Sequence, residues 1–195
     1  VNSINWARII AQAVYYFYTY FKLGSETVSF SVPTGNFGDV FAGYLAKKMG
    51  LPIDKLIVAT NANDILHRAI SKGDYISKQV KETLSPSMDI QLASNFERLI
   101  YYINNSESSK TVDIMKKIKQ NSYQIEKSNL EMIQKDFLSE SCNEQETLDI
   151  IKKNYEENNI ILDPHTAVGV GAANKLSFND CVVLSTAHPC KFPDA

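Results

Sequence analysis

Cysteine, histidine and net charge are all scarce in this 195-residue chain, and each scarcity removes a class of function. The three cysteines, Cys142, Cys181 and Cys190, are odd in number and have no C-x-x-C spacing. That argues against a disulfide framework or a cysteine zinc site and points to a reducing, cytoplasmic compartment. Twenty basic residues face 22 acidic ones, a net charge of −2, so no global field draws the chain to nucleic acid or to an anionic membrane. All the basic residues but Arg8, Arg68 and Arg98 are lysine, a compositional bias that carries no mechanism. The apolar stretch from Ile9 to Leu23 is broken by Gln12, Thr19 and Lys22, so neither a membrane span nor a signal peptide is expected. An initiating methionine is also missing, and Val1 leads almost directly into a helical pattern. We therefore expect a piece of a longer chain.

What is present is organised around Phe30-Ser31-Val32-Pro33-Thr34-Gly35-Asn36-Phe37-Gly38-Asp39. Val28, Phe30 and Val32 alternate like a strand, two glycines follow, and Asp39 is an N-cap type residue ahead of a helical run to Met49. A glycine turn between strand and helix leaves backbone N–H groups unpaired at the positive end of the helix dipole. Such a turn can hold a phosphate with little help from basic side chains. The spacing fits neither the Walker A pattern nor G-x-G-x-x-G, so on these grounds alone a plain turn is the competing reading.

The rest of the chain supplies a sheet for this turn. Asn5 or Ser3 caps a first helix from about Trp6 to Leu23, closed by Gly24, with Trp6, Ile9, Ile10, Ala13, Val14, Phe17, Tyr20 and Phe21 at helical spacing. The tyrosine-rich run 15–18 is read as core rather than as a stacking platform. After the turn and its helix, Lys55 to Thr60 reads as a buried parallel strand, and Asn61-Ala62-Asn63-Asp64 caps a helix that closes near Gly73. Strand, helix, strand, helix implies a doubly wound, mainly parallel α/β sheet in three layers, with ligands beyond the carboxyl ends of the strands. Ser85-Pro86-Ser87 marks a turn, and helical spacing resumes at 93–103. Residues 104–160 are rich in lysine and carry most of the glutamates, and they read as a helical excursion from a single α/β domain spanning 1–195. Ile160 to His165 reads as a β-like run ending at a proline, followed by the small-residue helix Thr166 to Ala173. Cys181 to Leu184 reads as a buried strand that delivers Ser185-Thr186-Ala187-His188-Pro189 to the crevice.

Five ordered stretches, Asn2-Ser3-Ile4-Asn5-Trp6-Ala7-Arg8-Ile9, Val32 to Asp39, Ser94-Asn95-Phe96-Glu97-Arg98, Asp163 to Gly169, and Ser185 to Pro189, together resemble threonine synthase of the bacterial and fungal type. The resemblance covers nearly the whole chain and implies fold type II of the pyridoxal phosphate enzymes. It further implies that O-phospho-L-homoserine and water become L-threonine and phosphate. In this resemblance Gly35, Asn36, Phe37, Gly38 and Asp39 hold the phosphate of pyridoxal 5'-phosphate, mainly through backbone donors, with the Asp39 carboxylate turned back to cap the helix. Thr186 then hydrogen-bonds the pyridine nitrogen, while Ser3, Asn5 and Arg8 are candidates for substrate or cofactor contact. The family's Schiff-base lysine lies in a segment that would precede Val1. Lys47 and Lys48 sit about 13 Å along the helix from the turn by helical rise and do not replace it. No catalytic residue is therefore expected within the chain, nor a metal site, and the stretch alone is expected to be inactive without the missing N-terminal part of the enzyme. His165 and His188 are read first as structural groups, and Arg98 either as a substrate-phosphate ligand or as an arginine pairing with Glu97 or a neighbouring helix. The competing readings are a related fold type II lyase of dehydratase type and a non-catalytic phosphate- or nucleotide-binding module.

Overall fold

The computed structural model describes residues 5–178, 180–193 and 195. Helix α1 (Trp6–Leu23) starts at Asn5, whose side chain accepts from the Ala7 N–H, and ends at Gly24 in the left-handed conformation. Strand β1 (Val28–Pro33) is buried along its whole length. It leads through the glycine turn into α2 (Gly38–Lys48), then β2 (Ile53–Thr60) and α3 (Ile65–Lys72), which is closed by Gly73 with φ 77°. A long loop with a 3-10 turn at Pro86–Met88 precedes α4 (Phe96–Ile103). Helices α5 (Ser108–Lys119) and α6 (Lys127–Asp136), strand β3 (Phe137–Ser141) and helix α7 (Glu144–Asn158) follow. Helix α8 (Pro164–Lys175) and strand β4 (Cys181–Val183) complete the order.

The four strands form one sheet in the order β3-β2-β1-β4, parallel throughout. Side chains alternate across it: Leu56 and Val58 join the larger core with α1 to α4, while Ile57 and Ala59 join Val168 and Ala172 of α8 on the opposite face. Burial on both faces explains why β2 reads as a continuous apolar run. The small residues of α8 let it lie close to the sheet, and Ser31 Oγ on β1 donates to the Gly169 carbonyl at 2.6 Å. Helix, sheet and helix make the expected three layers.

Three expectations change. Residues 104–160 do contain helices, but they return to the sheet as β3, which pairs with β2 from Leu56↔Phe137 to Thr60↔Ser141. Phe137 is the anchor, fully buried against Phe37 and Tyr44, and that tertiary packing makes a strand of a segment whose polar neighbours hide it. The β-like run Ile160 to His165 is not a strand: Ile160 and Ile161 are exposed, and Asp163 instead caps α8 with Pro164 in its first turn. In α1 only Ile9, Ala13 and Tyr16 are buried, because a single face of the helix meets α2. Ile10, Val14, Tyr15, Tyr18 and Phe21 stay exposed, contrary to their reading as core.

Candidate functional site

The carboxyl ends of β1 and β4 open onto a cleft of ≈ 270 Å³ bounded by α1, the glycine turn, the Pro86–Met88 turn and the start of α8. Its lining brings together Asn5 and Arg8 from the first motif, Gly35, Asn36, Gly38 and Asp39 from the second, Asn95 from the third, His165 from the fourth and Thr186 from the fifth. All but the last two of these stretches lie more than 20 residues from their neighbours in sequence, and the parallel sheet gathers all five at one end. Ser3 lies outside the described residues.

The turn has a specific shape. Phe37 occupies the N-cap of α2 with φ 69°, and its ring turns into the core against Phe96 at 5.1 Å, so only its backbone remains near the cleft. Asn36 Oδ1 accepts from the Gly38 N–H at 3.0 Å. The Asn36 carbonyl is pinned from the other side by the Asn95 N–H at 3.0 Å and the Asn95 amide at 3.3 Å. Among the described residues, the N–H groups of Gly35, Phe37, Asp39 and Val40 donate to no protein acceptor. Four such donors at the start of an eleven-residue helix are suited to an anion. Gly35 is required by close approach: a Cβ there would stand 2.4 Å from the Ser87 carbonyl oxygen.

Asp39 does not cap α2. It stands in the helix's first turn, and its Oδ1 accepts from the Tyr16 hydroxyl at 3.2 Å, the same hydroxyl lying 2.9 Å from the Asp39 carbonyl. Burial pushes the Asp39 pKa from 3.8 up to about 6, against the opposing effect of the Tyr16 hydrogen bond. Burial, then the neighbouring Asp39 charge, raise the Tyr16 phenol well above its ordinary value, so it remains a donor.

Arg98 packs against a neighbouring helix, the second of the roles expected for it. Its guanidinium lies over the Trp6 ring at 5.0 Å, and its Nε–H donates to Asn95 Oδ1 at 3.0 Å. Arg98 thus orients Asn95, and Asn95 orients the turn. The Asn95 role escaped sequence reasoning because its signal, an asparagine next to the buried Phe96, looks the same as an ordinary helix cap. Gln12, Ser87 and Met88 also line the cleft without any sequence signal.

His165 stands in the cleft wall with both ring nitrogens engaged. Its Nε2 accepts from the Ser87 N–H at 3.3 Å, which puts the ring proton on Nδ1, 3.1 Å from Asp163 Oδ1. Burial acts to raise the Asp163 pKa, but hydrogen bonds from His165 and Thr166 outweigh it and leave the carboxylate below its ordinary value. His188 accepts from the Cys190 N–H and is absent from the cleft wall. Thr186 is exposed at the mouth, with no protein partner for its hydroxyl among the described residues. Among the described residues no lysine lines the cleft.

A family model described as "Threonine synthase, C-terminal" matches residues 166–195. Threonine synthase from Saccharomyces cerevisiae is 50% identical over 220 residues, a match that takes in 100% of this chain and 43% of that protein. The enzyme from Pseudomonas aeruginosa is 46% identical over 201 residues, with the same two coverages. The solved structure of PLP-bound threonine synthase from Brucella melitensis superposes with a TM-score of 0.96 at 47% identity, covering 100% of this chain and 43% of that one. The chain belongs to the threonine synthase family. Its doubly wound sheet is accordingly the fold type II architecture of that family. The chain spans less than half the length of the threonine synthases it matches, and every motif that carried the resemblance to threonine synthase falls within the matched stretch.

Proposed function

We propose that this chain is the cofactor-binding portion of a pyridoxal phosphate-dependent threonine synthase, a carbon–oxygen lyase that converts O-phospho-L-homoserine and water to L-threonine and phosphate. The observation that carries the reading is one cleft holding both an unpaired set of N–H donors and the Thr186 hydroxyl. The residues fit the group. Within the stretch Gly35 to Asp39, the unpaired N–H groups of Gly35, Phe37 and Asp39, with that of Val40, bind the cofactor phosphate, while Asn36 and Gly38 hold the shape of the turn through their own hydrogen bond, and the missing Cβ at Gly35 leaves room for the Ser87 loop to close beside it.

When bound, pyridoxal phosphate supplies an electron sink for a carbanion next to the substrate amine. Thr186 would hydrogen-bond the pyridine nitrogen, where a hydroxyl, unlike a carboxylate, would not enforce a protonated ring and would leave the sink milder. Arg8 and Asn5 form the wall on the substrate side, where the Arg8 guanidinium is suited to a phosphate or carboxylate. Asn95, held by Arg98, keeps the turn's N–H groups aimed outward.

The resemblance puts the family's Schiff-base lysine in a segment preceding this stretch, outside the residues that build this cleft. We accordingly expect the 195-residue stretch alone to bind the cofactor weakly and without a covalent bond. The unpaired cysteines suit a cytoplasmic enzyme.

The test uses the full-length protein: the visible absorption of bound pyridoxal phosphate together with phosphate release from O-phosphohomoserine. Absence of both overturns the reading. In that protein Thr186→Val is expected to shift the cofactor absorption and slow phosphate release while leaving the circular dichroism spectrum intact. An unchanged absorption and rate would remove Thr186 from the site.

A further inference from the structure

The cleft contains one group that works against its proposed ligand. Asp39 lines the same space as the N–H donors of the turn, and an ionised carboxylate there repels a phosphate in a poorly solvated setting. The carboxylate is held firmly. Tyr16 is fully buried, its ring edge-on to Phe30 at 4.8 Å, and it fits only because residue 43 is glycine, where a Cβ would come within 2.5 Å of the ring. The Tyr16 hydroxyl is therefore a fixed donor shared between the Asp39 carbonyl at 2.9 Å and Oδ1 at 3.2 Å, while Oδ2 has no protein partner among the described residues.

Among the described residues, no neighbouring element places a neutralising charge at contact range of Asp39. From α1, Arg8 lines the cleft, yet it forms no ion pair with Asp39 within the described residues. From α4, the Arg98 guanidinium is engaged with Asn95 and the Trp6 face, and Glu97 lies outside the cleft wall. From α8, His165 is bonded to Asp163 and Ser87. Strand β2 turns apolar Leu56 and Val58 toward this side. A proton is the remaining way to discharge the carboxyl, and burial already favours it.

We propose that the anion site is proton-coupled: it takes up a phosphate group together with one proton from solvent, carried on Oδ2 of Asp39 while Tyr16 holds Oδ1. The inference rests on the phosphate-cradle reading above. Asp39 then acts as a positioning and selecting residue. It presents a hydrogen-bond donor toward the cradle when the anion is bound and a repelling charge when the cradle is empty at alkaline pH.

The experiment uses the full-length protein cleared of small ligands, with sulfate as a probe because its charge does not change between pH 6 and 9. Calorimetric titration in buffers of different ionisation enthalpy reads proton uptake directly. The wild type is expected to take up close to one proton per sulfate at pH 8, with affinity falling by up to about tenfold per pH unit above the carboxyl's pKa. Asp39→Asn keeps the acceptor for Tyr16; it should bind sulfate without proton uptake and with little pH dependence over this range. Tyr16→Phe should extend proton-coupled binding to higher pH, since it withdraws the one hydrogen bond that favours the ionised form. Sulfate bound by the wild type with no proton uptake overturns this inference and leaves the cradle intact. If sulfate, inorganic phosphate and pyridoxal phosphate all fail to bind at any pH, the cradle reading itself falls, and the inference with it.

Discussion

At the scale of single residues, Asp39 ties stability to pH. Its folded pKa of about 6 lies above the ordinary 3.8, so between these values the native protein keeps a proton that the unfolded chain has released. Stability must then fall as pH rises through this window and stay at the lower level above it. Two units correspond to about 3 kcal/mol, and partial solvent access reduces this to about 1–2 kcal/mol. Asp39→Asn is expected to gain that amount at pH 7 and nothing near pH 4 in urea denaturation; a gain equal at both pH values would refute the assignment. Gly35 makes a different demand, for space. A Cβ only 2.4 Å from the Ser87 carbonyl forces the turn or the loop to move. Gly35→Ala should cost about 1–3 kcal/mol of cradle geometry, or about ten- to hundredfold in pyridoxal phosphate affinity, with helix content unchanged. Equal affinity in the variant would mean that the loop yields without disturbing the turn. Gly35 and Thr186 were legible in the sequence because a glycine turn and a strand end each leave a local signature. The tie of Asp39 to Tyr16 was not, since it joins residues 23 apart through the packing of α1 on α2.

At the scale of elements, the loop from 76 to 92 carries Ser87 and Met88 to the cleft although it has almost no regular structure. A buried polar cluster holds it. The Asn61 amide donates to Asp89 at 2.7 Å, Thr83 at 2.8 Å and Ser85 at 3.0 Å, and the Asn63 amide donates to the Lys81 carbonyl at 2.9 Å and to Asp89 at 3.0 Å. Removing the amide leaves buried acceptors without their donor, at a cost of about 1–3 kcal/mol. Asn61→Ala should therefore lower stability by that amount and speed amide exchange selectively between 76 and 92, which hydrogen-exchange mass spectrometry resolves. Uniform exchange across the chain would argue against a local latch. In the sequence Asn61 to Asp64 reads only as a helix cap, because the cluster's partners lie more than 15 residues further on. The β1-α2-β2-α3 order was legible for the opposite reason: alternation, glycine stops and short apolar runs are local. Strand β3 was hidden since it lies on the sheet edge among charged helices and owes its conformation to β2 and Phe137. The run at 160–163 shows the converse error, where isoleucines suggested a strand and the capping geometry of Asp163 with Pro164 decided for a helix start.

At the scale of the molecule, the two cores flanking the sheet are well closed, whereas α1 is not. Ile10, Val14 and Phe21 are 49%, 60% and 73% exposed and fall within about 40° of one another around the helix. They form an uncharged stripe beside the buried face of Ile9, Ala13 and Tyr16. A contiguous apolar stripe of this kind is usually covered in the working protein, and the matched threonine synthases are more than twice the length of this chain. The isolated stretch is accordingly expected to bind 8-anilinonaphthalene-1-sulfonate or to self-associate, and Val14→Lys combined with Phe21→Lys should suppress both without loss of helix. In the full-length protein the same double substitution should instead destabilise by more than about 2 kcal/mol, since it would bury two charges without partners. If the full-length protein tolerates both lysines with a change of less than about 0.5 kcal/mol, the stripe faces solvent there as well, and the rest of the enzyme packs elsewhere.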